Sequence, residues 1–297
     1  MSIELFFRNV KYLFKYNIKS IHQYANDDHE YDLLRKILAI QDNEEDLIRN
    51  QNFPKIMDAW QTVLYLTSTN CSFCRFGDGE IAMMCDGRGG VFQKYDQRLA
   101  SKLSEAFKST NKELCIGINF WFYHSPKNLL KRQEIFYKTH SLEFRNQIAQ
   151  HINQKIIYGD SLISMPYHLY SKFDFNKYYS EIEKLWKDKD IVVISGSTVF
   201  NSIKYNCFNT ARSIKYIFGK SVNAFENYDE LLDLALNTSK SSTKFLILGQ
   251  TATVLSYDLC NLGHRAIDIG HLPKDYDAWR KGKILTNSSI RDFYDKD

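Results

Sequence analysis

The chain has 297 residues, enough for one large domain or two modest ones with ample core. Hydrophobic residues make up 44% and charged residues 25%, a balance that excludes a disordered chain. The net charge of +4 is too mild to argue for nucleic acid as a partner.

No run approaches the roughly 18 consecutive apolar residues of a membrane span. Lys and Arg interrupt the apolar residues of the start, which argues against a cleavable signal peptide. Cys71, Cys74, Cys85, Cys115, Cys207 and Cys260 lie mostly in apolar segments, as buried thiols of a reducing compartment do. Cys71 and Cys74 form a CxxC, but no second pair at zinc-finger spacing follows.

Residues 1–22 mix Phe6, Phe7, Val10, Leu13, Phe14 and Ile18 with Arg8, Lys11, Lys15 and Lys19. A basic aromatic helix of this kind suits peripheral contact with a membrane interface, or packing on the protein body or a second copy. Asn26 to Glu30 reads as a polar break, followed by amphipathic helices marked by Leu33, Leu34, Ile37 and Leu38, and by Ile56 to Leu66. Residues 1–67 are therefore expected to form a helical N-terminal extension, and residues 68–297 the main domain.

The stretch Arg75–Phe76–Gly77–Asp78–Gly79–Glu80 reads as a strand entering a glycine-punctuated loop. In an extended loop, residues i and i+2 face the same side, so Asp78 and Glu80 together suit a Mg²⁺ or Mn²⁺ site completed by water and phosphate. Leu99, Leu103 and Phe107 mark a helix, Leu114 to Ile118 a strand, residues 127–151 a longer helix, and Ile156 to Asp160 another strand. Ile191 to Gly196 is an apolar β-branched run of the kind found in buried parallel strands. Ile203, Cys207, Ala211, Ile214 and Phe218 then suggest a helix. Phe245 to Gly249, the Leu255/Leu259 helix and Arg265 to Gly270 continue the alternation. Strands alternating with helices imply an α/β fold, a Rossmann-like, mostly parallel sheet flanked by helices.

Ligands of such sheets gather beyond the carboxyl ends of the strands. Four stretches meet that condition: Asp78/Glu80, Gly196–Ser197–Thr198, Gly249–Gln250–Thr251 and Asp268–Ile269–Gly270–His271. Gly249, Gln250 and Thr251 suit a phosphate cradle at a helix N-terminus, or else a plain tight turn. Neither a GxGxxG nor a GxxxxGK[ST] loop is present. His271 is a candidate ligand, phosphate donor or base.

Taken together, these segments resemble the GT-D-fold bacterial glycosyltransferases, formerly domain of unknown function 1792. The resemblance runs from about residue 70 to about 280. It rests on Arg75 to Glu80, Phe92 to Asp96, Ala211 to Lys215, Asn223 to Phe225 with Tyr228 to Glu230, Gly249 to Leu255 and Asp268 to His271. It implies a metal and sugar-nucleotide motif at Asp78 and Glu80, with Mn²⁺ or Mg²⁺ as cofactor. It further implies a nucleotide-sugar donor, UDP-linked, and a lipid-linked or protein-linked glycan acceptor in cell-surface polysaccharide or glycoprotein assembly. On this reading Asp78, Glu80 and His271 are catalytic, while Arg75, Gly77, Asn223, Gly249, Gln250 and Thr251 hold the donor. Arg75 touches phosphate or fixes the loop by an ion pair, and His271, Asp268 or Asp258 serves as base. The expected location is cytoplasmic, at the inner membrane face where residues 1–22 engage it, with oligomerisation open. Two departures stand out: Ser195 to Ser202 replaces a Glu, Arg and glycine-rich turn of the family, and Met165 stands where an arginine precedes Pro166. A metal-dependent phosphohydrolase and a non-catalytic scaffold are the rival readings.

Overall fold

The computed structural model describes residues 21–50 and 52–293; the basic aromatic stretch of residues 1–22 lies almost wholly outside them. Helix α1 (Ile21–Arg49) runs without interruption through Asn26 to Glu30. The expected polar break is absent because that segment holds neither Gly nor Pro, and polarity alone does not end a helix. Strand β1 (Lys55–Ile56) and helix α2 (Ala59–Ser68) follow, with Asp58 accepting from the Gln61 backbone N–H at 2.8 Å to cap α2. Both lie before residue 68 yet belong to the body: β1 pairs with a sheet strand, and Ala59, Val63 and Leu66 of α2 are buried in its core.

The other elements are β2 (Ser72–Phe76), α3 (Asp78–Asp86), α4 (Gln97–Phe107), β3 (Leu114–Ile118), α5 (Lys131–Ile148), β4 (Ile157–Asp160) and α6 (Pro166–Leu169). After them come α7 (Phe175–Glu183), β5 (Asp190–Gly196), β6 (Ser213–Gly219), α8 (Tyr228–Leu236), β7 (Thr243–Ile247), α9 (Gln250–Asn261), β8 (Ala266–Asp268), α10 (Leu272–Arg280) and α11 (Asn287–Asp292).

The eight strands form one sheet in the order β1-β4-β3-β2-β8-β7-β5-β6. Every pairing is parallel. Because side chains alternate across a strand, Phe73 enters the core on one face while Cys74 and Phe76 enter the other. Ile191 and Val193 of β5 divide from Val192 and Ile194 in the same way. Each such buried side chain contributes about 1.5–3 kcal/mol.

One element differs in kind from its sequence reading. The helix expected over Ile203 to Phe218 is absent: turns lead to a short 3-10 helix at Cys207–Thr210, and residues 213–219 are strand β6. The spacing of Ile203, Cys207, Ala211, Ile214 and Phe218 mimics a helical face, but Ile214, Tyr216 and Phe218 also alternate, and their β-branched and aromatic types favour an edge strand beside β5.

Chain direction across the sheet changes at β2. From β2 the chain moves outward to β3 and β4, whereas β7 returns inward to β8, which lies against β2. The crevice at the carboxyl ends of β2 and β8 is therefore the topological switch point.

Candidate functional site

Three of the four stretches expected at the carboxyl edge meet around this switch point. Strand β2 ends at Phe76, and Gly77 in extended conformation opens α3. Asp78 and Glu80 thus occupy the first helical turn, where carboxylates complement the helix dipole. They do not share one side of an extended loop. At 3.6 residues per turn, positions two apart lie roughly 200° around the axis. Glu80 turns back so that its Oε2 accepts from the Gly77 backbone N–H at 2.8 Å. Asp78 is exposed, its Oδ1 accepting from Gly79 N–H at 3.0 Å. The Glu three residues after Gly77 is a capping-box spacing that the sequence carried. Burial pushes the Glu80 carboxyl up to about 7, against the opposing pull of the Gly77 hydrogen bond and Arg75.

Arg75 is committed inside the protein. Its Nη2 donates to Asp268 Oδ1 at 2.9 Å, and its Nη1 to the Ser161 carbonyl at 3.1 Å and to Ser164 Oγ at 3.0 Å. Of the two roles open for it, the ion pair is the one seen. Asp268 is 1% exposed and also accepts from Gly270 N–H at 3.0 Å. Burial raises its pKa, and the guanidinium opposes that shift. Gly270 has φ +40°, and a Cβ there would lie 1.9 Å from Arg75 Nη2, so glycine alone admits the arginine.

Gly249, at φ +54° and ψ −141°, turns β7 into α9, a conformation closed to other residues. Gln250 is 6% exposed and its Oε1 has no partner, while its Nε2 would lie 2.5 Å from a Cβ at Gly79 and 3.2 Å from one at Gly90. The start of α9 is thereby pressed against the start of α3 and the glycine-rich loop of residues 87–90. Thr251 is fully buried, its hydroxyl 3.5 Å from Gln93 Oε1, so it faces the protein rather than the crevice.

His271 follows β8 and opens α10, its ring 5.9 Å from Phe92 and 5.0 Å from Phe293. Burial, with Arg75, Lys274 and His168 nearby, lowers its pKa to about 3. An imidazole shifted in this way is neutral at neutral pH and a weak base, able to donate and accept hydrogen bonds. Asn223 acts one step back from the crevice. In left-handed conformation, it donates its N–H to Phe92 O and accepts from Lys94 N–H, both at 2.8 Å, clamping the loop that carries Phe92.

The fourth stretch is closed off: Thr198 N–H and hydroxyl both engage Ser221 Oγ, at 3.1 and 2.6 Å. Asp258, a candidate base, pairs with Lys102 at 2.6 Å and with the Tyr228 hydroxyl in the last turns of α9, away from the crevice. Asp160, fully buried at the end of β4, was missed by sequence reasoning. Its Oδ1 accepts from Leu162 and Phe120 N–H groups while its Oδ2 has no partner, and burial pushes its pKa up to about 7.

Among the described residues no three His, Cys, Asp or Glu side chains converge as metal ligands. The crevice offers two carboxylates, the exposed one of Asp78 and that of Glu80, which is turned back on the Gly77 N–H. That set fits a hard divalent ion sharing its coordination with phosphate and water, and does not fit an all-protein cage.

The model of the family described as the GT-D glycosyltransferase fold matches residues 73–288. The chain is 32% identical over 226 residues to a probable glycosyl transferase Gly of Streptococcus gordonii, covering 75% of this chain and 32% of that protein. It is 27% identical over 239 residues to glycosyltransferase GlyD of Streptococcus pneumoniae serotype 4, covering 75% of this chain and 27% of that protein. It thus spans about a third or less of these curated relatives. Among solved structures, a selenomethionine form of domain of unknown function 1792 superposes with a TM-score of 0.74 at 28% identity, covering 82% of this chain and 88% of that one. A glycosyltransferase of the same domain from Streptococcus sanguinis gives 0.73 at 26%, covering 82% and 94%.

Proposed function

The chain belongs to the GT-D-fold glycosyltransferase family, and from that premise we propose that it transfers a sugar from a nucleotide-diphosphate donor, a UDP-sugar, to a glycan acceptor. The observation that carries the reading is the meeting of two helix starts, α3 and α9, at the β2/β8 switch point, beside two carboxylates and a buried glutamine with an unspent oxygen. Free N–H groups and the positive dipole ends of both helices favour a diphosphate there.

Asp78 and Glu80 would hold Mn²⁺ or Mg²⁺, which when bound neutralises the charge that develops on a departing nucleoside diphosphate. Gly79 and Gly90 leave room for the Gln250 side chain, whose amide, held at the crevice with an unspent oxygen, would orient the donor. Arg75 serves as scaffold: by pairing with Asp268 it fixes the end of β2 against β8 and so the direction in which α3 starts. His271, neutral and flanked by Phe92, orients a donor or acceptor hydroxyl. The reaction proposed serves cell-surface polysaccharide or glycoprotein assembly, on a lipid-linked or protein-linked acceptor, in the cytoplasm.

No helix among the described residues is long and apolar enough to cross a membrane. Residues 29–38 of α1 are exposed, including Tyr31, Leu33, Leu34, Ile37 and Leu38, which cover about half of the helix circumference. Together with the basic aromatic residues before them, this face suits peripheral contact with an anionic membrane surface. Vesicle flotation with and without phosphatidylserine checks it; equal flotation of the full chain and of Leu34→Glu/Leu38→Glu would count against it.

Calorimetry with UDP-glucose, UDP-galactose and their N-acetyl counterparts, in Mn²⁺ and then in EDTA, tests the central reading. Metal-dependent binding of one donor, lost in Asp78→Asn, is expected. Phosphate release from nucleotides without any sugar acceptor dependence would instead favour a phosphohydrolase. Failure of every nucleotide sugar would favour a scaffold.

A further inference from the structure

Away from the crevice, helices α7 and α10 frame a cleft lined by Tyr179, Trp186, Tyr276 and Trp279, with Ser180 and Glu183 at its edge. The aromatic groups are fixed from behind. Tyr179 donates its hydroxyl to Asp275 at 2.5 Å, Trp186 its Nε1–H to the Cys207 carbonyl at 2.9 Å, and the Tyr276 hydroxyl accepts from Arg280 Nη1 at 2.7 Å. Tyr179 and Trp279 stack with ring centres 4.4 Å apart. With the Tyr179 hydroxyl and the Trp186 indole N–H spent inside the protein, these two buried rings give the cleft a carbon floor, and the half-buried Tyr276 and Trp279 supply its accessible aromatic surface.

Glu183 differs from Glu181, the other carboxylate of its helix. It is half-buried at the end of α7, and among the described residues its carboxylate has neither an ion pair nor a hydrogen bond. By contrast, Glu181 on the same helix is paired with Lys184 and bonded to Thr67. A half-buried acceptor-only group beside fixed aromatic faces calls for a ligand with hydroxyl donors and an apolar face. A sugar ring has both, with its C–H face set against the aromatic rings and its hydroxyls toward Glu183 and the Ser180 hydroxyl.

A cationic side chain would also suit aromatic faces and a carboxylate. Here Arg280 already lies over the neighbouring rings, its guanidinium 4.9 Å from the Tyr205 ring centre and 5.6 Å from that of Tyr276. A second cation would meet that charge, whereas a neutral sugar would not. The cleft encloses about 70 Å³, less than a whole hexose, so it takes one face or edge of a ring and leaves the remainder in water.

We infer that this cleft is a glycan-binding subsite for a hexose or N-acetylhexosamine residue. Its floor includes Leu272, the residue after His271, and its wall is α10, nine residues or about 13 Å long. As a hold on a distal sugar of the acceptor, the assignment rests on the transferase reading; as a sugar cleft, it stands on its own residues.

Saturation-transfer NMR on the full chain tests it, with chitotriose, maltotriose and Nα-acetyl-arginine amide as probes. Saturation should reach the ring protons of one of the sugars and fall at least fivefold in Glu183→Ala, which removes no internal partner, and in Trp279→Leu. Three results would overturn the inference: no sugar bound by the wild type, sugar binding unchanged in Glu183→Ala, or preferential binding of the arginine probe. Calorimetry with UDP-sugars on the same samples keeps the two readings apart. Glu183→Ala should retain the donor binding of the wild type. If the wild type binds no donor, the transferase reading falls, and the cleft is still decided by the sugar probes.

Discussion

Replacing Asp268 by leucine should unfold the protein more readily than any substitution at the crevice rim. The side chain is 1% exposed and its Oδ1 holds Arg75 Nη2 at 2.9 Å and Gly270 N–H at 3.0 Å. Its loss leaves a guanidinium that is 16% exposed facing an apolar group, with Ser161 O and Ser164 Oγ as the remaining acceptors. Breaking one partner of a buried pair costs about 3–5 kcal/mol. For a chain of this size that corresponds to a fall in Tm of roughly 5–8 °C, read by circular dichroism. The double variant Arg75→Met/Asp268→Leu removes the stranded charge and should recover a large part of the loss. Because β2 and β8 are joined here, metal-dependent donor binding should weaken in the single variant beyond what its lower stability explains. A Tm within about 2 °C of wild type, or a double variant no better than the single one, would refute this account of Arg75.

Asp275→Ala should cost about as much, since the carboxylate accepts from Tyr167 and His168 N–H, His168 Nδ1 and the Tyr179 hydroxyl at 2.5–3.0 Å; denaturant titration reads the shift in midpoint. Asn223→Ala loses the bond to Lys94 and places alanine at φ +56°, a cost of about 2 kcal/mol, and should raise the KM for donor more than it lowers kcat; Asn223→Gly should keep the backbone and restore part of the stability. Lys244, at the start of β7, has its ammonium on the Ser239 and Ser242 carbonyls, and burial lowers its pKa to about 8. Between about pH 8 and the usual 10.5 the unfolded chain therefore holds a proton that the folded chain has released, so stability should rise with pH across that window. Denaturation curves of Lys244→Met should lack that rise, and an identical pH profile in both proteins would contradict the assignment.

The fold was legible where one strand or helix decides its own pattern. Ile191 to Gly196 and Leu114 to Ile118 are apolar and β-branched, bounded by small or polar residues, and both are strands within a residue of their expected limits. Ile214, Tyr216 and Phe218 failed because two periodicities fit the same letters, and only the neighbouring strand β5 chose between them. The site was legible as a set of positions and not as geometry. Asp78 and Glu80 were recognisable, but their splay follows from Gly77 starting a helix. The Arg75–Asp268 pair spans 193 residues, and nothing local in either segment announces it. Asp160 and the cleft between α7 and α10 depend on burial, which composition does not report.

The strand order also sets a timetable. One part of the sheet, β1 to β4, is encoded by residues 55–160 and another, β5 to β7, by residues 190–247; β8, three residues long, joins them. During synthesis at 5–20 residues per second, Arg75 and the start of α3 wait about 10–40 s for Asp268 to be made. Through that interval the inner edge of β2 lacks its partner, whereas β7 ends 21 residues before Asp268 and waits only about 1–4 s; an apolar parallel strand left unpaired is of the kind that aggregates. The crevice is therefore assembled late, by the strand that closes the sheet.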